Sequence, residues 1–504
     1  MAQLACRLAG SALVVLLAGC AAVGPDYVRP AMDIPPAYKE AGPWKTAAPQ
    51  SVDSQHPWWQ AYGDSVLNGL MVQANQANQN IAQAEAQYRQ ARALSDVTRA
   101  GLWPTLGVNA GVTRALTNSS SIKEGTYPSV GVGASWEPDL WGSVRRAVEA
   151  GNAGAQASAD DLAAARLSIQ SALAQDYLQL RVTDVLIRLY AVTAEAYTRA
   201  LKLAQNQYAV GVALRSDVAL AESQLKTAQA QGVDLQAQRS QLEHAIATLI
   251  GKSPAAFALP QAVGTMDQPG ARVPTIPAGV PSGLLERRPD VAGAERRVAI
   301  ANANIGVARA AYFPSLMLSA SGGFSSAGFA TLFDTPSRVW SLGAALAQTL
   351  FDGGLRKARS EQALAAYDVS VAQYKQTVLN SLQQVEDNLA LLRVLDHEVV
   401  LQDQAVQASQ LAERLALAQY QAGTATYLSV VTAQTLSLTN QRSAVQLRGR
   451  QLAASVALIT ATGGGWDTAP ANGAPASTPP QAPIAAPNVA NANPLTSETR
   501  KLTP

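Results

Sequence analysis

Ala100-Gly101-Leu102-Trp103-Pro104-Thr105-Leu106 returns as Ala310-Ala311-Tyr312-Phe313-Pro314-Ser315-Leu316, about 210 residues later. At nearly the same offset, Leu140-Trp141-Gly142-Ser143-Val144-Arg145-Arg146 is echoed by Phe351-Asp352-Gly353-Gly354-Leu355-Arg356-Lys357. Tyr208-Ala209-Val210-Gly211 with Ser216-Asp217-Val218 is echoed by Tyr420-Gln421-Ala422-Gly423 with Leu428-Ser429-Val430. Separated landmarks sharing one offset mark an internal duplication. Each copy reads as helix, two strands, long helix, sharp turn and helix.

The helices carry a seam. Val371, Val378, Val385, Leu392, Val399 and Val406 recur every seven residues, with Leu382 and Leu389 interleaved, which is a coiled-coil pattern. The first copy carries Leu173, Leu180, Ile187 and Leu201 in the same period, and its return helix carries Leu214, Val218, Leu225, Leu235, Leu242, Ile246 and Leu249, with Arg239 interrupting. From Ser143 to Tyr208 only Gly151 and Gly154 could break a helix, so about 60 residues at 1.5 Å each would span on the order of 90 Å. Gly211 and Gly423 sit where such a helix would end in a left-handed cap, and Ser216 or Thr424 is placed to cap the next start. Both are read as hairpin tips.

The strands alternate. Leu106, Val108, Ala110 and Val112 interleave with Thr105, Gly107, Asn109, Gly111 and Thr113, and Val130, Val132, Ala134 and Trp136 with Ser129, Gly131, Gly133 and Ser135. Leu316, Leu318, Ala320 and Phe324 oppose Ser315, Ser319 and Ser321, and Trp340, Leu342, Ala344 and Leu346 form a fourth set. Strands of about ten such residues suit a transmembrane barrel or a half-buried soluble sheet equally, one by one. Four strands cannot close on themselves, and an open edge in hydrocarbon leaves backbone groups unpaired, so a barrel would be shared by several chains.

Composition excludes other classes. The 504 residues are only 15% charged and 48% hydrophobic, yet past the first twenty positions no apolar run approaches the ~18 residues of a spanning helix. The net charge of +2, without clustered Lys and Arg, gives no footprint for nucleic acid. His56, His244 and His397 have no spaced partners, so neither a metal site nor a catalytic set is expected, and no cofactor. Gly463-Gly464-Gly465 lacks the Lys and Ser or Thr of a phosphate loop and reads as a helix stop. Glu386 and Asp387 read as carboxylates on a solvated helix face, and no enzyme is expected.

The chain opens with Arg7, an apolar core from Leu8 to Ala18, and small residues leading to Cys20, the pattern of a secretory signal peptide. Leu17-Ala18-Gly19-Cys20 is similar to the lipobox of bacterial lipoproteins, which implies cleavage between Gly19 and Cys20 and acylation of Cys20 on its sulfur and its new amine. Ala21 stands where an Asp would favour inner-membrane retention, so outer-membrane delivery is implied. Cys6 and Cys20 are the only cysteines, leaving a mature chain without disulfides.

These residues resemble the TolC-like outer-membrane efflux proteins, in their NodT-type lipoprotein branch. The likeness is carried by Cys20 with Val23-Gly24-Pro25-Asp26-Tyr27 and Pro30, by Trp58-Trp59 with Leu67 and Leu70, by both hairpin tips, and by Glu286-Arg287-Arg288-Pro289-Asp290-Val291 at the opening of the second copy. It implies an α+β membrane protein. Three sets of four strands would close a twelve-stranded barrel, and the helices of a homotrimer would form a periplasmic coiled-coil tunnel. An equatorial belt would gather the N-terminal segment, the linker around Lys252 to Pro281 and the region near Gly463. On this plan the chain divides into a signal peptide (1–19), an anchor with equatorial segment and first helix (20–98), strands (99–142), a long hairpin (143–251), an equatorial linker and helix (252–307), strands (308–355), a second hairpin (356–462) and a C-terminal segment and tail (463–504). The tail from Thr468 to Pro504, rich in Ala, Pro and Asn, is expected to be disordered.

The implied function is the exit duct of a tripartite efflux pump that passively conducts small toxic compounds or drugs. The implied partners are outer-membrane lipid, a periplasmic adaptor and an inner-membrane transporter of the resistance-nodulation-division type. The tips, Gly211, Ser216, Asp217, Gly423, Thr424, Ala425, Thr426 and Tyr427, would serve docking and gating. Several relatives carry an acidic residue just after the second-tip glycine, where this chain has Thr424, and Asp217 reads as a partner for the helix dipole. Two alternatives stay open: a duct for protein secretion or metal export, though the five methionines form no copper-like run, and a lipid-anchored coiled-coil scaffold without a pore.

Overall fold

The computed structural model of the chain describes residues 22–40, 57–119, 121–261, 274 and 287–464. The leader with Gly19 and Cys20, His56, most of the 252–281 linker and the 468–504 tail lie outside the described residues.

The duplication is visible as matched elements. In the first copy a short 3-10 turn, Trp58–Tyr62, leads to α1 (Ser65–Ala77), α2 (Gln79–Ala100), strands β1 (Thr105–Ser119) and β2 (Ser121–Trp136), α3 (Ser143–Ala209) and α4 (Arg215–Leu249). The second copy runs α5 (Pro289–Ala310), β3 (Ser315–Ser325), β4 (Arg338–Ala347), α6 (Leu355–Gln421) and α7 (Tyr427–Ala461). Corresponding helices have equal lengths: 22 residues in α2 and α5, 67 in α3 and α6, 35 in α4 and α7. At 1.5 Å per residue each 67-residue helix covers about 100 Å, so each tip lies that far along the helix from the strands. No described helix is long and apolar enough to cross a membrane.

The four strands make one antiparallel sheet in the order β1-β2-β3-β4. Register decides the faces. Leu106, Ala134, Ala320 and Leu342 lie in one row, and Val108, Val132, Gly322 and Trp340 in another, so the apolar sets of all four strands share a face. The opposite face collects Gly107, Gly133, Ser321 and Ser341, with Thr105 Oγ1 and Ser135 Oγ 2.8 Å apart and Ser321 Oγ and Ser341 Oγ 2.8 Å apart. β1 and β2 run to 15 and 16 residues, longer than the ten expected, because their ladder continues outward past the apolar band to the pair Ser119 and Ser121.

Packing is concentrated midway along the helices. Trp58, Trp59, Tyr62, Leu67, Leu70 and Met71 bury against Leu173, Tyr177 and Leu180 of α3, Val385, Leu389 and Leu392 of α6, and Leu452 and Val456 of α7. Val378, Val385, Leu389 and Leu392 of the expected seam are buried, while Leu214, assigned to the seam of the return helix, is 70% exposed. It precedes α4 as the cap residue, and the helix buries Ala221, Leu225, Ala228, Leu235 and Ile246 instead. Gly463 and Gly464 end α7 at φ +93° and +77°, the stop their sequence suggested.

Candidate functional site: hairpin tips, unclosed sheet and belt

At the first tip Gly211 turns the chain at φ +75°, and the amides of Val212 and Ala213 both donate to the Gln207 carbonyl, at 2.9 and 3.2 Å. The second tip repeats this with Gly423 at φ +73° and the Thr424 amide on the Gln419 carbonyl at 2.9 Å. The expected caps move. α4 starts at Arg215 behind Leu214, so Ser216 lies inside its first turn, and Asp217 Oδ2 accepts from the Leu214 amide at 3.2 Å. α7 starts at Tyr427 behind Thr426, while Thr424 Oγ1 donates back to the Gln419 carbonyl at 3.0 Å. Thr424 thus closes the outgoing helix instead of opening the next. The longer turn satisfies the last carbonyls first and reaches extended backbone only at Leu214 and Thr426.

The two tips are packed together. Tyr420 and Tyr427 meet edge to face with ring centroids 5.1 Å apart, in a cluster with Ala204 and Ala221 of the first hairpin. Burial pushes the Tyr427 phenol up to about 12, with Tyr420 and Asp217 adding to it. Burial and Asp217 likewise raise Tyr420. Both phenols stay neutral through physiological pH, so Asp217 is the charge that the second tip feels from the first.

The helical hairpins are held by ionic contacts that heptad reading misses. Asp184, whose side chain is 2% exposed, accepts from Arg181 at 3.1 Å and from Arg239 at 2.7 Å. Arg239 also binds Glu243 at 3.1 Å and the Leu259 carbonyl at 2.6 Å, and Arg181 binds the Pro260 carbonyl at 3.1 Å. Arg181 further donates to Tyr177 Oη at 3.0 Å, and that hydroxyl donates to Asp64, the N-cap of α1, at 2.6 Å. Arg239 therefore interrupts the seam in order to fasten the start of the linker to the first hairpin. The signal available in the sequence was the apolar period broken by a cation.

The N-terminal strap, residues 22–40, begins where strands become helices. The Val23 amide donates to the Trp141 carbonyl at 2.9 Å, and buried Arg146 holds Asp26 at 2.8 Å together with the Val23 and Gly24 carbonyls. Tyr27 Oη donates to Glu295 at 2.5 Å, and Arg296 reaches the same carboxylate at 2.6 Å. Burial would raise Glu295, but hydrogen bonds from Arg296 and Tyr27 outweigh it and hold the carboxyl below its usual range. Farther on, Glu386 accepts from the amides of Lys39 and Glu40 at 2.7 and 2.9 Å, so this expected surface carboxylate has a fastening role. His244 and His397 are exposed, and no cluster of His, Cys, Asp and Glu able to hold a metal occurs among the described residues.

Hairpins about 100 Å long tipped by paired turns, joined to a sheet apolar on one face and unpaired at both edges, define a subunit of a membrane-spanning duct. The chain belongs to the outer membrane efflux protein family, whose model matches residues 70–252 and 280–464. It is 33% identical to the pyoverdine export outer membrane protein OpmQ of Pseudomonas aeruginosa over 82% of this chain and 88% of that one. With the outer membrane protein OprJ of the same organism it shares 31% identity over 90% of this chain and 95% of the other. The solved outer-membrane channel OprN superposes with a TM-score of 0.80 at 28% identity, over 88% of this chain and 99% of that one. The protein is the outer-membrane exit duct of an efflux pump, with the α+β channel fold of the TolC-like family.

Proposed function

We propose that this duct serves a tripartite pump of the resistance-nodulation-division type, as a homotrimer anchored through acylated Cys20, conducting small toxic compounds passively and performing no catalytic step. The carrying observation is the sheet: four strands, one apolar face and two free edges, β1 and β4. In hydrocarbon those edges must be paired, and pairing β4 of one protomer with β1 of the next closes a barrel without any further element. Relatives named for pyoverdine export, toluene efflux and antibiotic efflux support small organic cargo. The strap supports the anchor: Ala22, two residues past Cys20, lies against Gly142 at the strand-to-helix joint, which is the periplasmic border of the sheet. The tips, from Gly211 through Ser216 to Asp217 and from Gly423 through Thr424, Ala425 and Thr426 to Tyr427, are the surfaces for the periplasmic adaptor and the gate.

The test is to purify the mature protein in detergent, measure its oligomeric mass and record conductance in a planar bilayer. A trimer with discrete single-channel steps is expected. A monomer that never conducts under conditions opening related channels would overturn the shared barrel, and mass spectrometry of the N-terminal peptide reads the Cys20 acylation separately.

A further inference from the structure

The β3–β4 connection, residues 326–337, lies at the end of the sheet away from the helices, and its internal bonds hold it in a fixed form. Its amides of Leu332, Asp334 and Ser337 donate to the carbonyls of Phe329, Thr331 and Asp334 at 3.3, 3.2 and 3.0 Å. Ser337 Oγ donates to the Thr331 carbonyl at 2.7 Å, and the Ser326 amide ties the loop to the Pro128 carbonyl of β2 at 3.2 Å. Leu332 is buried at 9%, yet Phe329 and Phe333 are 65% and 71% exposed.

The direction in which this loop leans can be read from one ring pair. Phe324 lies in the row of Val130 and Arg338, on the apolar face with Leu342 and Trp340, and its ring meets Phe333 edge to face at 5.5 Å. The opposite face at this level carries Gly131, Gly323, Ser129 and Ser325, with Val339 of β4 beside Gly323, and it is the ring pair with Phe324 that places Phe333 on the apolar side. Phe333 thus extends the apolar face and leaves the small-residue face uncovered. From Leu316 to Phe324 the apolar rows run about 27 Å along the strand, or about 20 Å vertically at a typical barrel tilt, close to the apolar band of outer-membrane barrels. The loop phenylalanines lie at the far border of that band, where outer-membrane barrels carry an aromatic girdle, and exposed Arg338 stands in the same row to meet lipid phosphate.

We propose that Phe329 and Phe333 enter the acyl region of the outer leaflet, so that this loop is a lipid-seated wedge and leaves the mouth of the duct open. The proposal rests on the barrel reading above. To test it, Phe329→Cys and Phe333→Cys are each labelled with nitrobenzoxadiazole in the full-length mature protein, beside Leu342→Cys on the apolar face and Ser321→Cys on the small face. The proteins are reconstituted in vesicles of phosphatidylethanolamine and phosphatidylglycerol containing a shallow acyl-nitroxide lipid. Labels at 329, 333 and 342 are expected to lose most of their emission to the nitroxide lipid and little to iodide, with the reverse at 321. Quenching by iodide at 329 and 333, with 342 still quenched by lipid, would overturn the wedge and leave the barrel standing. Iodide quenching at 342 with lipid quenching at 321 would overturn the face assignment itself, and the barrel reading with it.

Discussion

Asp184 is the buried carboxylate that ties the two helices of the first hairpin together. It neutralises two guanidiniums, Arg181 and Arg239, in a site where its own side chain is 2% exposed. Removing one partner of a buried pair strands the other charge at a cost of about 3–5 kcal/mol. Asp184→Ala is therefore expected to lower the denaturation midpoint strongly and to free the linker start at Leu259 and Pro260, as read by limited proteolysis. A midpoint unchanged from the parent would show the guanidiniums to be served by water. Gly24 carries a different constraint: at φ +106° its missing Cβ would sit 2.5 Å from the Gly306 Cα, so strap and α5 cross backbone to backbone. Gly24→Val is expected to cost about 1–3 kcal/mol locally and to lift the strap, seen as faster amide exchange in residues 22–27.

At the scale of elements, the strap is fastened by a carboxylate whose titration gives it a pH dependence. Glu295 is held below its usual value in the folded protein, so its contribution is present above the unfolded value of 4.5 and is lost as pH falls through the lower folded value. Amide protection in the strap, taken relative to the intrinsic exchange rate at each pH, is expected to hold at neutral pH and to fall only below pH 4.5, and Glu295→Gln should abolish that dependence. Protection that falls equally in the Gln variant would assign the acid sensitivity elsewhere. The tips behave otherwise. No neighbour lies within 4 Å of a Cβ added at Gly211 or Gly423, so Gly→Ala there is penalised only by the left-handed backbone, by about 1–2 kcal/mol. Circular dichroism should barely change, while protease sensitivity at the tip should increase.

For the molecule as a whole, the free edges of β1 and β4 make the strongest demand. A cysteine placed on the outward rows of β1, at Val108, and another on β4, at Leu342, should cross-link between protomers and yield a covalent trimer on denaturing gels. Several register pairs must be scanned, because the register between protomers is set by the closed barrel. A ladder of random sizes, or cross-linking only within one chain, would remove the shared barrel. In the proposed trimer each protomer would contribute its two helices of 67 residues to one wall, giving both long hairpins a common purpose.

The sequence by itself determined the duplication, the four alternating strands, the long hairpins and their glycine turns, because each is written in a local period or a residue with one conformational use. Tertiary structure decided what locality cannot carry. That Arg239 breaks its seam to share Asp184 with Arg181 depends on α3 and α4 meeting, and likewise Arg146 grips the strap across more than a hundred residues. Thr424 and Ser216 were misplaced as caps for a similar reason: capping residue types tell of a helix end nearby, but only backbone dihedrals tell which helix they close. Strand period likewise divided each strand into two faces, and only the register across β1 to β4, with Phe333 resting on Phe324, fixed which faces coincide and on which side the outer loop lies.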